Sequence, residues 1–109
     1  MNEIKKKALV VLAQGFEEIE SNTAIDILRR AKIEVTVAGL GGRKIKGSRG
    51  VTVLTDIELE EARGSYDILV LPGGQPGADN LHSSKEVNDL IYEFNKEGKV
   101  IASICASPA

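Results

Sequence analysis

The sequence predicts an α/β domain with a doubly wound parallel sheet and helices on both faces. Continuous apolar runs at residues 8–13 and 68–71 are typical of parallel strands that are buried on both sides. The segments between the apolar runs place apolar residues at helical spacing. Strands that alternate with amphipathic helices are the pattern expected of a parallel sheet covered by helices.

The first half of the chain is predicted to form a strand, a helix, a second strand and two short β segments. Residues 8–13 form the first strand, and residues 18–31 form a helix because their apolar side chains recur at i, i+3, i+4 and i+7. Residues 33–38 alternate apolar and polar side chains, which predicts a strand with one less covered face or a place towards the sheet edge. The short β candidates, residues 43–46 and 51–54, flank a turn-like cluster.

The second half of the chain is predicted to contain a strand, a helix and a last strand. Residues 67–71 form a buried strand that stops at a Pro-Gly-Gly sequence. Ser83 and Glu86 give a capping-box signature for the helix that follows, with Ser83 as the cap. Gly98 ends this helix, and the last strand begins at Lys99.

Composition restricts the chain to one compact domain. The chain has 109 residues, 42% of them hydrophobic, and its 14 Lys and Arg against 16 Asp and Glu give a net charge of -2. The absence of a long basic run argues against nucleic acid as a partner. The apolar stretch near Met1 is too short for a membrane span, so we expect no membrane partner. A single cysteine fits a reducing compartment, and we expect a cytoplasmic protein.

Cys105 follows the predicted last strand, where a sharp turn is expected. The small residues Ser103 and Ser107 flank it at minus two and plus two, which is the sequence form of a nucleophile elbow. The alternative is a small buried hydrophobe at a strand end, the role of most free cysteines. This segment alone leaves both interpretations open.

Three predicted strand ends carry residues suited to chemistry at one edge of the sheet. Ligands of open parallel sheets bind outside the carboxyl ends of the strands. Residues 14–20 follow the first strand, Gly73 and Gly74 follow the strand at 67–71, and Cys105 follows the last strand. The glycine amides are suited to holding an oxyanion, although a plain turn is the alternative. A phosphate loop is excluded because no Gly-Lys-Ser/Thr follows the two glycines. We expect neither a cofactor nor a metal.

The remaining polar candidates have simple structural interpretations. Glu17, Glu18 and Glu20 match the acids that a helix dipole favours in a first turn, and Glu17 and Glu18 can be exposed acids of that kind. His82 is interpreted as a surface residue because nothing in the pattern directs it towards Cys105. The pair at 48–49 is interpreted as part of a solvated turn.

Several blocks together resemble the ThiJ/PfpI family, and within it the branch of the parkinsonism-associated protein deglycase and its bacterial relatives. They cover essentially the whole chain and are specific in combination. The blocks are ALVVLA at 8–13, EEIE at 17–20, DILRRA at 26–31, VTVAGL at 35–40, DILVLPGG at 67–74, GADNL at 77–81 and ICASP at 104–108. The resemblance implies a flavodoxin-like sheet.

The resemblance also implies roles for individual residues. Cys105 matches the reactive, easily oxidised cysteine of the family, and Glu20 matches the glutamic acid whose protonated carboxyl hydrogen-bonds that sulfur. Gly74 and Ala106 match the residues whose backbone N–H groups form an oxyanion pocket.

The activity implied by the resemblance is a thiol-dependent glyoxalase or deglycase, which acts on reactive dicarbonyls or glycated proteins. One alternative is a redox-responsive stress protein or chaperone whose cysteine oxidation changes partner binding. A further alternative is a peptidase or an amidotransferase-like hydrolase. Arg49 and Asp26 match positions near the family's usual dimer contact, so we expect a homodimer.

Members of the family are longer than this chain, and their partner histidine lies well beyond the elbow cysteine. His82 does not match that histidine in position. We therefore expect residues 1–109 to be the N-terminal part of a single ThiJ/PfpI-type domain, incomplete at its C-terminal side. The missing C-terminal segment would be a further partner if it is a separate chain. A truncated chain, a cleaved product and an incomplete gene product remain open as its origin.

Overall fold

A computed structural model describes residues 5–62 and 64–104 of the chain. In these residues, no helix has the length and apolar character needed to cross a membrane. The elements in chain order are β1 (Lys7–Leu12), α1 (Glu18–Arg30), β2 (Glu34–Gly39), β3 (Lys44–Lys46), β4 (Thr52–Leu54), β5 (Ile57–Glu58), a 3-10 helix (Leu59–Glu61), β6 (Ile68–Pro72), α2 (Gly77–His82), α3 (Lys85–Lys96) and β7 (Val100–Ile104).

The main sheet has five strands in the order β5-β2-β1-β6-β7, and all its neighbours are parallel. β1 lies at the centre, where Ala8 pairs with Val35 of β2 on one side and Ile68 of β6 on the other. The strand order reverses at β1, so the chain winds outwards in both directions from it. The α/β fold with a doubly wound parallel sheet is therefore confirmed.

Alternate residues of β1 face two separate hydrophobic clusters. Leu9 and Val11 belong to a cluster that includes Phe94 of α3. Val10 belongs to the other cluster, which includes Ala24 of α1. Because successive side chains of a strand point to opposite faces, helices cover both faces of the sheet.

The hairpin of β3 and β4 stands apart from the main sheet as an antiparallel pair. Ile45 of β3 is fully buried and packs in the same cluster as α1, which holds the hairpin against that helix. The two short β segments predicted from the sequence are thus present, and their turn is placed beside the start of α1.

The predicted elements that are present begin and end within about two residues of their expected positions, but α2, β5 and the 3-10 helix were missed. α2 has only six residues, and Pro76 at its start provides no side-chain cap. A helix so short, with Leu81 as its one large buried side chain, has no apolar period to detect in the sequence. β5 is a two-residue strand beside β2, which therefore lies next to the sheet edge as its alternation predicted.

The cap of α3 is Ser84, so the expected cap at Ser83 is wrong by one residue. Ser84 has extended backbone angles, and its Oγ accepts a hydrogen bond from Val87 N at 3.2 Å. Ser83 is held in helical geometry by the end of α2, and its hydroxyl donates to Asp79 O at 2.7 Å. The unrecognised α2 is thus the physical reason for the error.

Candidate functional site

The loops that follow β1 and β6 are joined by hydrogen bonds at the carboxyl edge of the sheet. Glu17 N donates to Gly73 O at 3.1 Å, and Gly77 N donates to Gly15 O at 3.1 Å. The side chain of Asn80 adds a bond from Nδ2 to Gln14 O at 2.8 Å. Two of the three strand ends singled out from the sequence therefore meet, as predicted.

Gly74 permits this close approach. Its φ of +93° lies in the region that favours glycine, and a Cβ added there would lie 2.7 Å from the backbone nitrogen of Glu17. Any other residue would therefore face both backbone strain and a clash with a backbone atom that has little room to move. The glycine loop is thus more than a plain turn, because it packs against the start of α1.

The turn of the β3–β4 hairpin also lies at this edge, bonded to the loop after β1. Gly15 N donates to Lys46 O at 2.8 Å, and Ser48 N donates to Phe16 O at 2.8 Å. The Gln14 carboxamide adds two bonds, accepting from Lys46 N at 2.9 Å and donating to Lys44 O at 3.2 Å. Residues 48–49 form an exposed turn, as predicted, and their backbone and the Ser48 hydroxyl also make hydrogen bonds to the start of α1. We call the loops 14–17 and 73–77 and the hairpin turn 47–51 the rim.

Glu18 is the buried member of the acidic triplet, with only 7% of its surface exposed. Its Oε2 accepts hydrogen bonds from Arg49 N at 2.9 Å and Val51 N at 3.1 Å, and its Oε1 accepts from Ser48 Oγ at 3.4 Å. The expectation that Glu18 is an exposed first-turn acid is therefore wrong. No local pattern indicates these bonds, because the hairpin lies some thirty residues farther along the chain.

The surroundings of Glu18 favour its charged form. Burial alone would raise the pKa of the carboxyl, but the hydrogen bonds donated by the amides of Val51, Glu18 itself and Arg49 and by the hydroxyl of Ser48 stabilise the carboxylate more. The pKa of Glu18 is therefore lowered from its usual value. Glu18 acts as a charged acceptor that fastens the hairpin turn to α1.

The other two acids of the triplet have different places. Glu17 is the N-cap of α1, and its Oε1 accepts a hydrogen bond from Ile19 N at 2.6 Å. Glu20 is partly buried, and its Oε1 is shielded from solvent. The three acids therefore differ in the structure: Glu17 caps α1, Glu18 binds the hairpin turn, and Glu20 is partly buried.

Comparison with known proteins identifies the family. The model of the DJ-1/PfpI family matches residues 6–109, which is nearly the whole chain. The chain belongs to this family. The fold and the resemblance seen in the sequence are thereby confirmed.

Relatives of known sequence and structure in the DJ-1/PfpI family agree with this assignment. Protein DJ-1alpha of Drosophila melanogaster is 48% identical over 106 residues, which cover 94% of this chain and 49% of that protein. Glutathione-independent glyoxalase DJR-1.2 of Caenorhabditis elegans is 32% identical over 106 residues, which cover 95% of this chain and 56% of that protein. The crystal structure of Drosophila melanogaster DJ-1beta superposes with a TM-score of 0.91 at 47% identity, covering 96% of this chain and 57% of that one. The chain thus spans about half the length of the curated relatives it matches.

The cysteine that the DJ-1/PfpI resemblance singles out follows directly after β7, which pairs with β6. β7 ends at Ile104, which is paired in register with Pro72 at the end of β6. Cys105 and Ala106 are the next residues in the chain and lie outside the described residues. The assigned roles of Cys105 and Ala106 therefore stay predictions, as do those of Glu20 and Gly74.

The other candidates lie at the surface. Asp26 is exposed and pairs with Arg30 one turn along α1, with 3.0 Å between Oδ1 and Nε. Arg49 is exposed on the hairpin turn, and its amide binds Glu18. His82 is exposed, as expected, at the end of α2. Among residues 5–62 and 64–104, no group of three or more His, Cys, Asp or Glu is arranged to hold a metal ion.

Replacement of Gly74 by Ala tests the packing of the rim. Gly98→Ala is the matched control, because Gly98 also has a positive φ but a Cβ there meets nothing within 4 Å. We expect Gly98→Ala to cost about 1–2 kcal/mol of backbone strain. Gly74→Ala should cost at least about 1 kcal/mol more in urea unfolding, because its Cβ also overpacks the loop. Equal costs for the two variants would contradict the close packing described for Gly74.

The stability that Glu18 contributes to the protein should be lost in acid. Because the folded-state pKa of its carboxyl is lowered, its contribution is fully present above the unfolded value of about 4.3 and is lost as the pH falls through the lower folded-state value. The stability difference between wild type and Glu18→Gln should therefore be constant near neutral pH and shrink in acid. Denaturant unfolding across this pH range measures it, with Glu86→Gln as a control acid in the first turn of α3. A difference that grows on acidification would contradict the prediction.

Proposed function

We propose that the protein is a thiol-dependent enzyme of the glyoxalase or deglycase type, which acts on reactive dicarbonyls or glycation adducts. The observation that carries this proposal is the rim, which packs Gly73 and Gly74 against the start of α1 beside the strand that leads into Cys105. A relative at 32% identity whose name states a glutathione-independent glyoxalase supports the same chemistry. A small carbonyl compound or a glycated protein is the proposed substrate.

The proposed reaction begins with addition of the Cys105 thiolate to the aldehyde carbon of a dicarbonyl. The new S–C bond forms as the carbonyl electron pair moves to oxygen, which gives a hemithioacetal after protonation. The amide N–H groups of Gly74 and Ala106 stabilise the developing oxyanion. Glu20 moves a proton from the former aldehyde carbon to the neighbouring carbon, and water then hydrolyses the resulting thioester to a 2-hydroxy acid. Methylglyoxal and water would thus give lactate without an external oxidant.

Turnover of methylglyoxal by the complete protein tests the proposal. Cys105→Ala should abolish lactate formation, because it removes the nucleophile. Glu20→Gln keeps a hydrogen-bond donor but releases no proton, so kcat should fall by about 10²–10⁴-fold. Glu17→Gln is the control in the same helical turn, and it should cost much less because Glu17 acts as a cap.

Two outcomes would contradict the enzymatic proposal. Equal and small effects at the two glutamates would mean that Glu20 has no catalytic role. A wild-type protein that forms no lactate, but whose Cys105 oxidises readily to a sulfinic acid in peroxide, would favour the redox-responsive stress protein instead. Mass spectrometry of the peroxide-treated protein detects that product.

We also propose that the protein is a homodimer that associates through α1 and the β3–β4 hairpin. These two elements expose large apolar side chains: Ile19 is 75% exposed, Ile27 58%, Val51 50% and Leu54 68%. Apolar side chains exposed on adjoining elements are typical of an interaction surface. The same elements carry Asp26 and Arg49, which the resemblance places near the dimer contact.

Sedimentation of charge variants tests the dimer. We expect the wild-type protein to sediment as a dimer and Ile27→Glu as a monomer, because the substitution buries a charge at the contact. Tyr92→Glu is the matched control, since Tyr92 is 67% exposed on α3, and it should remain dimeric. A monomeric wild type at micromolar concentration, or equal dissociation by both variants, would contradict this assembly.

A further inference from the structure

The acids Glu18 and Glu20 lie in the first turn of α1 and are separated by one residue. At 3.6 residues per turn, side chains two positions apart project about 200° from each other around the helix axis. Glu18 points at the hairpin turn, where its carboxylate is bound. Glu20 therefore points to nearly the opposite side of the helix, and any rotation of this turn moves both carboxyl groups together.

The hairpin turn fixes Glu18 tightly. The amides of Arg49 and Val51 and the hydroxyl of Ser48 all donate to its carboxylate. Gly47 completes the enclosure, because a Cβ added there would lie 2.5 Å from Cδ and Oε2 of Glu18. The carboxylate thus has three donors on one side and a backbone with no room for a side chain on the other.

The same turn of α1 is held from the second loop of the rim. Glu17 N donates to Gly73 O, and the approach of Gly74 leaves no space between its backbone and Glu17. The start of α1 is therefore fixed between two loops, and Glu18 is the side chain that binds it to the hairpin. An exposed acid that only stabilises the helix dipole would need none of these contacts.

We propose that Glu18 is a positioning residue, which sets the rotation of the first turn of α1 and thereby directs Glu20 at the reacting groups. This inference rests on the proposed role of Glu20. Glu18 itself does not touch the substrate, because its carboxylate is occupied by the hairpin turn. A small misplacement of a proton-transfer group lowers the rate of the chemical step, so the effect falls on kcat more than on KM.

Two independent variants disturb this contact from opposite sides. Glu18→Gln replaces one acceptor oxygen by an amide group that faces backbone N–H donors. Gly47→Ala leaves every acid in place but pushes its Cβ against the Glu18 carboxylate. Gly98→Ala is the control, because it strains a positive-φ glycine outside the rim and its Cβ meets nothing within 4 Å.

We expect Glu18→Gln and Gly47→Ala each to lower kcat for methylglyoxal by about 10- to 100-fold, with KM changed by less than about threefold. Gly98→Ala should leave kcat close to the wild-type value. If Glu18 acts through Glu20, Glu18→Gln should cost little further activity when Glu20 is already Gln, as a double-mutant cycle measures. An equal loss of kcat from Glu18→Gln in both backgrounds would overturn the proposal.

The pH dependence of Cys105 alkylation provides a readout that does not need turnover. Both disturbing variants should raise the titration midpoint of the thiol, because they weaken the proposed hydrogen bond from Glu20 to the sulfur. Gly98→Ala should leave the midpoint unchanged. A wild type without turnover would reject the proposed function, yet this shift would still support the positioning of Glu20. Faster hydrogen exchange at the amides of Arg49 and Val51 with an unchanged thiol titration would overturn the proposal, because Glu18 would then act only on the hairpin.

Discussion

The contact between the loop after β1 and the loop after β6 is the constraint on which the rim depends. Glu17 donates its amide to Gly73 O, and the absence of a side chain at Gly74 lets the two backbones meet. Parallel pairing of β1 with β6 brings the two loops to the same edge of the sheet. The sheet thus determines which loops are neighbours, and the glycine determines how closely they approach. The first turn of α1 takes its position from both.

Glu18 extends this constraint to a part of the chain outside the main sheet. A buried carboxylate is costly unless hydrogen bonds replace its water, and here backbone amides and a hydroxyl of the hairpin turn do so. These bonds add to those that the hairpin makes with the loop after β1 and to the burial of Ile45. The charge and the hairpin therefore stabilise each other. The same hydrogen bonds lower the pKa of the Glu18 carboxyl, so its charged form stabilises the folded state.

The sequence was sufficient where one physical signal dominated. The apolar runs of β1 and β6 predicted the sheet, and the glycines at 73–74 predicted a special loop at its edge. It was insufficient where structure depends on distant contacts. The buried state of Glu18 follows from donors some thirty residues away, and no local pattern distinguishes it from the capping Glu17 or from Glu20. α2 was missed because a six-residue helix has no recognisable period, and the cap of α3 was then misplaced by one residue.

The central claim is that the rim serves a reactive thiol, with Glu20 directed at Cys105 from the start of α1. A crystal structure of the complete protein in its reduced state measures this directly through the distance between Cys105 Sγ and the nearer carboxyl oxygen of Glu20. The account predicts a hydrogen-bonding distance, with Glu18 still bound to the amides of Arg49 and Val51. A Glu20 carboxyl turned away from the sulfur, with the rim otherwise as described, would contradict it.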